Sequence, residues 1–361
     1  MKVSIGSKVI DGPYGGGNTF LINLIKYLEG LNHTVVHNLD EKDIDIILLT
    51  SPLPDSEHST FNHLDILKYL RSKNDNTLVV QRFNECDERK RTSGINRKLL
   101  KANISADYSI FVSKWLQDIF ETFGMTNMNK KTILGGSDIR IFNQNNKGIW
   151  NKNKKFKIVT HHWSSNWMKG FDVYQKLDLL LNKKEIADKV SFTYIGNLPR
   201  GFSFKNANSM PPLDSMELSK KLKDFDGYIT GSINEPSGNH HVEGALSGLP
   251  LLYINSGGIP EYCNGYGLEF SIDNLEEKIF ELMDSYELYH EKLKDYNFTS
   301  DKTSKEYVDL FCHLIENKEH FLNSRNNISY LEILLLSLEH YYFKLNIFFL
   351  RVSNAILKRF K

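Results

Sequence analysis

Cysteine is scarce: Cys86, Cys263 and Cys312 are the only three, and they lie far apart. An odd, scattered set offers neither a disulfide framework nor the paired spacing of a structural zinc site, so reduced thiols of a cytosolic protein are expected. Charge of one sign is not in excess either, since 45 Lys and Arg face 44 Asp and Glu. A protein whose main partner is nucleic acid usually carries a strongly basic domain, and that partner is not expected here. No uncharged apolar run of about 18 residues occurs, which argues against a membrane-crossing helix. Met1 and Lys2 lead straight into an apolar stretch without a signal-peptide core, so the cytosol is the expected compartment. Internal repeats and long low-complexity tracts are also lacking. What remains is an ordinary globular composition over 361 residues, enough for two domains that each bury a core.

The chain is organised around residues 226–262, DGYITGSINEPSGNHHVEGALSGLPLLYINSGGIPEY. Its apolar run 227–230 predicts a buried parallel strand, ended by the turn residues Gly231, Ser232, Asn234 and Pro236. Ser237, Gly238 and Asn239 suit the first turn of a helix, and Gly244, Ala245 and Ser247 let that helix lie close to a sheet. Gly248 and Pro250 close it before a second strand at 251–254. Strand, loop, helix and strand form a βαβ unit whose ligand site lies at the carboxyl ends of the strands, where the helix directs free N–H groups at an anion. Glu235 in the loop and Glu243 in the helix then line one cleft. Carboxylates accept hydrogen bonds from sugar and ribose hydroxyls, so the pair suits a ligand with a diphosphate between two polyols. Gly257 and Gly258 add a turn whose amides can approach that diphosphate.

Glu235 and Glu243 at this spacing, followed by Gly248, Pro250, Gly257, Gly258 and Glu261, resemble the signature of retaining glycosyltransferases of the GT-B fold, family 4. The resemblance implies an α/β protein of two Rossmann-like domains facing a cleft. It implies that Glu235 meets the donor sugar, Glu243 the nucleotide ribose, and Lys169 of the Lys169-Gly170 pair the donor diphosphate. The arginine that usually precedes this lysine is missing, and His162, Ser164 or Ser165 is expected to substitute.

Before this region, apolar segments at 3–5, 34–36, 44–50, 78–81 and 109–112 alternate with helical patterns, which predicts a parallel sheet. Residues 11–19, DGPYGGGNT, read as a glycine-rich loop opening a helix marked by Leu21, Leu24, Ile25 and Leu28. The dinucleotide spacing fails at Phe20, and no phosphate-loop Lys follows. In GT-B enzymes a glycine loop here faces the cleft, so Gly15, Gly16 and Gly17 are donor-side candidates by resemblance. The polar segment after strand 78–81 supplies Arg82 as a catalytic candidate and Asn84 and Asp87 as acceptor-side candidates, an Arg82–Asp87 ion pair being the alternative.

Residues 1–142 are thus expected to form the acceptor domain, 143–155 a polar linker, and 156–300 the donor domain. Residues 301–327 are expected to cross back to the first domain. A basic amphipathic helical tail is expected over 328–361, with Leu345, Phe348, Phe349, Val352 and Ile356 on one face and Lys344, Arg351 and Lys358 at heptad spacing. Such a tail suits an anionic membrane surface, at the inner face of the membrane, or a partner protein or second copy. His161, His162, His240 and His241 raise a metal site, but adjacent histidines diverge on a strand or helix and none is expected. The expected function is metal-independent transfer of a sugar from a nucleotide-diphosphate sugar to the hydroxyl of a surface polysaccharide or lipid-linked glycan, with no cofactor besides that co-substrate. The alternative is a non-catalytic nucleotide-sugar or polyanion binding module at a membrane, and an epimerase of the same fold is a third option; a phosphorylase would need pyridoxal phosphate, for which the sequence offers no matching site.

Overall fold

The computed structural model describes residues 1–10, 15–52, 58–325, 328–329 and 331–338. Twelve strands form two six-stranded sheets. The first holds β1 (Lys2–Ile5), β2 (Thr34–Val36), β3 (Ile46–Leu49), β4 (Leu78–Phe83), β5 (Tyr108–Phe111) and β6 (Lys130–Thr132), in the order β2-β1-β3-β4-β5-β6. The second holds β7 (Phe156–His162), β8 (Val190–Gly196), β9 (Asn208–Met210), β10 (Gly227–Thr230), β11 (Leu251–Ile254) and β12 (Gly267–Phe270), in the order β12-β11-β10-β7-β8-β9. Neighbouring strands within both sheets run parallel. The near-continuous apolar strands IILL and LVVQRF are buried throughout, as a sheet covered on both faces by helices requires.

Each sheet reverses direction once, between β1 and β3 in the first and between β7 and β10 in the second. Crevices at the carboxyl ends of such strand pairs are where doubly wound sheets hold ligands. Loop 163–170 leaves β7 and loop 231–238 leaves β10, so Lys169 and Glu235 emerge at the same switch point.

The helix Ser300–Glu316 returns to the first sheet, where Tyr307, Val308, Phe311 and Leu314 share a core with Leu21, Leu24 and Leu28 of the helix Gly15–Gly30. Its entry runs beside the outgoing crossing: the Ser137 N–H donates to the Phe298 carbonyl at 3.2 Å, and the Ser300 N–H to the Ser137 carbonyl at 2.9 Å. Trp150 leaves the polar character of 143–155 behind, because it sits in the second core with its ring 4.9 Å from that of Phe156 and 5.7 Å from that of Tyr286. Residues 331–338 are helical, with Leu331, Leu334, Leu335 and Leu338 exposed, and the basic face expected beyond them lies outside the described residues.

Arg325 ties the end of the returning segment to the first sheet. It forks onto Asp107 through Nε at 2.7 Å and Nη2 at 2.6 Å, and donates to the carbonyls of Asp75 and Thr77. The Asp107 side chain is 1% exposed. Removing one partner of a buried pair leaves the other charge uncompensated, so Arg325→Ala is expected to cost about 3 kcal/mol, read as a lower urea midpoint.

Candidate functional site

The helix Asn239–Leu246 begins where β10 ends, directed by Gly238. A side chain at Gly238 would meet the rings of His240 and His241 at 2.6 and 2.8 Å, so the tight approach of this helix start to the sheet requires glycine. Across the cleft stands the start of the helix Gly15–Gly30. A Cβ on Gly16 would lie 3.2 Å from the Asn239 amide nitrogen, and one on Gly17 would reach 4.0 Å from that of Asn84. Gly15, Gly16 and Gly17 therefore form a first helical turn rather than a loop, and residues 11–14 lie outside the described residues. Two helix N-termini, one from each domain, face each other; their first N–H groups have no partner within their own helix, and their dipoles turn positive ends to the cleft.

Beside them Glu235 is 3% exposed and forms an ion pair with Lys169. On its other oxygen stands Arg89 of the first domain, with Nε 3.3 Å from Oε1. Burial alone would raise the Glu235 pKa, but Lys169 and Arg89 outweigh it and hold the carboxyl down at about 2. Glu235, Lys169 and Arg89, with Lys90, Ser164, Asn166, Met168 and Ile233, line a cavity of about 200 Å³ between the domains.

Glu243 accepts a hydrogen bond from His161 Nε2 at 2.7 Å. With that nitrogen donating, His161 Nδ1 accepts from the Tyr228 hydroxyl at 3.1 Å, a chain that fixes the imidazole tautomer. His162 is turned into the core, bonded through Nε2 to the Tyr174 hydroxyl at 2.7 Å and 4.4 Å from the His240 ring. His240 bonds the Thr230 hydroxyl at 2.8 Å, and both ring nitrogens of His241 are buried without a hydrogen-bond partner. Burial, together with neighbouring cations, pushes His241 down to about 3 and the other two well below the usual imidazole range.

Gly257 and Gly258 lie under the Glu235 loop. At Gly257, φ is +67° and an added Cβ would fall 2.4 Å from the Glu235 carbonyl oxygen, so only glycine fits. The Gly258 N–H donates to the Glu235 carbonyl at 2.9 Å, so this amide fixes the Glu235 loop instead of being free to approach a diphosphate. The remaining first-domain candidates stand apart from the ion-pair cluster. Arg82 belongs to β4, which runs two residues beyond the expected end at Gln81, and its guanidinium lies over the Phe20 ring at 4.0 Å. Asp87 accepts from the Thr92 hydroxyl and from the N–H groups of Gly94, Ile95 and Asn96, capping the helix Ile95–Ala102. Burial would raise its pKa, and these donors reverse that to a net lowering. No Arg82–Asp87 ion pair forms among the described residues.

The two faces of the cleft are held together by direct bonds. Glu261 accepts the N–H groups of Lys114 and Trp115 at 2.7 and 2.9 Å, capping a first-domain helix, Lys114–Thr122, from the second domain. The Tyr262 hydroxyl donates to the Val112 carbonyl at 2.8 Å and accepts the Gly135 N–H at 2.9 Å. Arg89 went unnoticed in the sequence because its partner is 146 residues away; the signal was a charged run, Glu85 to Arg91, following a buried strand.

The chain matches no protein-family model and no curated protein sequence. Solved structures do resemble it. A glycosyltransferase from Rickettsia africae has a TM-score of 0.63 at 15% identity, over 88% of this chain and 99% of that one. HepE from Anabaena, solved in complex with UDP, gives 0.63 at 13% identity, over 87% of this chain and 100% of that one. A UDP-forming alpha,alpha-trehalose-phosphate synthase from Burkholderia xenovorans, in complex with glucose-6-phosphate, gives 0.58 at 10% identity, over 81% and 77%. Two parallel six-stranded sheets, each with helices and each switching at a shared cleft, give this chain the GT-B fold of those glycosyltransferases: α/β, with two Rossmann-like domains.

Proposed function

We propose that the protein transfers a sugar, with retention at the anomeric carbon, from a nucleoside-diphosphate sugar to an acceptor hydroxyl of a surface polysaccharide or lipid-linked glycan. The observation that carries this reading is the meeting of Lys169 and Glu235 at the switch point of the second sheet, between two facing helix N-termini. The cations and the helix ends suit a diphosphate, and carboxylates on either side suit hydroxyls. HepE and the trehalose-phosphate synthase, which share the fold, are described with UDP or as UDP-forming, and this supports a nucleotide as ligand.

In this reading Lys169, the N–H groups at Gly238 and Asn239, and those of Gly15 to Gly17 hold the diphosphate. Glu243, oriented by His161, takes the ribose hydroxyls, and Glu235 takes the donor sugar. Asn84 faces the acceptor side, while Asp87 shapes that wall through the helix that it caps, Arg82 supports the wall from within β4, and His162 supports the donor side from beneath. The bond between the anomeric carbon and the diphosphate oxygen breaks with its electron pair staying on that oxygen. The acceptor oxygen forms the new bond, and its proton leaves with the nucleoside diphosphate. Positive groups aimed at the departing oxygen stabilise this charge in a site that closure keeps dry, and they serve without a metal ion. The exposed leucines of 331–338 continue toward the basic tail and suit anchoring beside a membrane-bound acceptor.

The test is a melting-temperature shift across UDP, GDP, ADP, CMP and their sugars. One base is expected to stabilise the protein by several degrees at saturation, and Glu243→Ala to abolish that shift. A uniform absence of shift would move the weight to a binding module for another anion.

A further inference from the structure

We propose that Arg89, carried by the first domain, is a catalytic residue of the diphosphate site built by the second, so that the charge facing the leaving group is complete only when the domains meet. The proposal rests on the transfer reading and adds to it where the second cation comes from. Loop 163–170 contributes one cation, Lys169, and contains no arginine. Arg89 enters the same cavity from the opposite wall.

Three observations assign Arg89 more than the neutralisation of Glu235. Its side chain lines the cavity, and its Nε, 3.3 Å from Glu235 Oε1, is buried with no hydrogen-bond acceptor, so the ion pair leaves a charged donor unsatisfied. The charges do not cancel: Arg89, Lys90 and Lys169 surround the cavity with Glu235, and Glu85 binds Arg89 at 3.1 Å and Lys90 at 2.9 Å from behind, so three cations meet two carboxylates. The segment is also built for precision. Asp87 gathers three backbone N–H groups and a hydroxyl, and the Glu88 carbonyl accepts from the Asn234 side chain of the second domain at 3.3 Å. Arg89 is therefore fixed on both sides of the cleft and belongs to the site only in the closed arrangement.

A guanidinium presents its donors in a planar fork that matches two phosphate oxygens, which an ammonium does not. As the anomeric C–O bond breaks and its electron pair settles on the phosphate oxygen, Arg89 and Lys169 meet that charge from two domains. Their move to the diphosphate frees Glu235 to accept the donor sugar hydroxyl, and the acceptor oxygen takes the anomeric carbon as its proton departs with the diphosphate. An open molecule lacks half of this stabilisation, so closure over the acceptor is coupled to cleavage of the donor.

The experiment titrates the full chain with inorganic pyrophosphate, and with UDP, GDP and ADP, for the wild type, Arg89→Ala, Arg89→Lys and Lys169→Ala, together with small-angle scattering at saturating pyrophosphate. Arg89→Ala is expected to weaken pyrophosphate binding about ten- to hundredfold, as loss of a hydrogen bond to a charged group does. Arg89→Lys is expected to recover part of it and to confirm that the fold survives. Compaction on adding pyrophosphate is expected in the wild type and not in Arg89→Ala, a difference that a residue merely propping Glu235 would not produce. Wild-type affinity in Arg89→Ala with weakened affinity in Lys169→Ala would overturn the role of Arg89 and leave the transfer reading standing. Failure of the wild type to bind pyrophosphate or any nucleotide would overturn both.

Discussion

Alanine in place of Lys169 is expected to lower kcat for sugar transfer about a hundredfold or more, measured at saturating donor and acceptor, by analogy with loss of a donor to a developing oxyanion. The ammonium touches Glu235 from within the second domain and stands at the carboxyl end of the strand pair where the sheet reverses. Its removal acts twice. On the proposed reading the departing diphosphate loses a positive charge, and Glu235 keeps Arg89 as its remaining ion-pair partner among the described residues. Glu235 sits at about 2 because the two cations outweigh burial, so its pKa is expected to rise in the mutant. The acid limb of the rate profile, corrected for the folded fraction at each pH, should then move toward neutrality together with the fall in kcat, whereas a mutant that simply folded less well would show the wild-type limb after that correction. An undiminished kcat would take Lys169 out of the chemistry.

The parallel strands were legible because their buried apolar runs are unlike anything in a solvated loop, and 34–36, 227–230 and 251–254 were read with their observed bounds. Two of the edge strands were not. β6 is KKT and β9 is NSM, polar segments that are strands only because one neighbour offers them backbone partners. The glycines at 15–17 were read as a loop for a sound local reason, since each glycine costs a helix about 1 kcal/mol relative to alanine. Packing decides otherwise: Gly16 lies against Asn239 of the other domain, a contact no local pattern encodes. The strand β4 likewise runs on to Phe83 because that ring stacks on Phe111 at 4.6 Å. Within the candidate site, residues tied to one βαβ unit, such as Glu235, Gly238 and Glu243, could be named as candidates from spacing alone. Arg89 and the capping of the helix Lys114–Thr122 by Glu261 depend on how two domains meet, and only the folded chain brings them together.

Mild acid is expected to unfold the protein steeply, and the reason lies directly beneath the site. His162, His240 and His241 are buried and held neutral, first by burial, and then because Lys169 is positive and a proton on one ring opposes a proton on the next. Glu235 opposes this at His241, but burial prevails and leaves it at about 3. The unfolded chain protonates all three near pH 6.5 while the folded chain does not, so below that pH the unfolded state binds three more protons. Stability accordingly falls as pH falls, by about 1.4 kcal/mol per pH unit for each histidine and about 4 kcal/mol per unit for the three. Glu235 extends the loss: its folded pKa of about 2 lies below the usual carboxylate value, so its contribution is whole above about pH 4.5 and disappears as pH drops toward 2. For a domain stability of about 5–15 kcal/mol, the acid midpoint should fall between about pH 3 and 5.5. Urea midpoints at pH 7.5, 6.5 and 5.5 read the slope. His241→Leu, which removes a ring with no hydrogen bond to lose, should flatten it by about a third. A stability unchanged from pH 7.5 to 5.5 would mean that these rings take up protons in the folded protein, and the positive charge this places beneath Glu235 would have to be counted in donor binding.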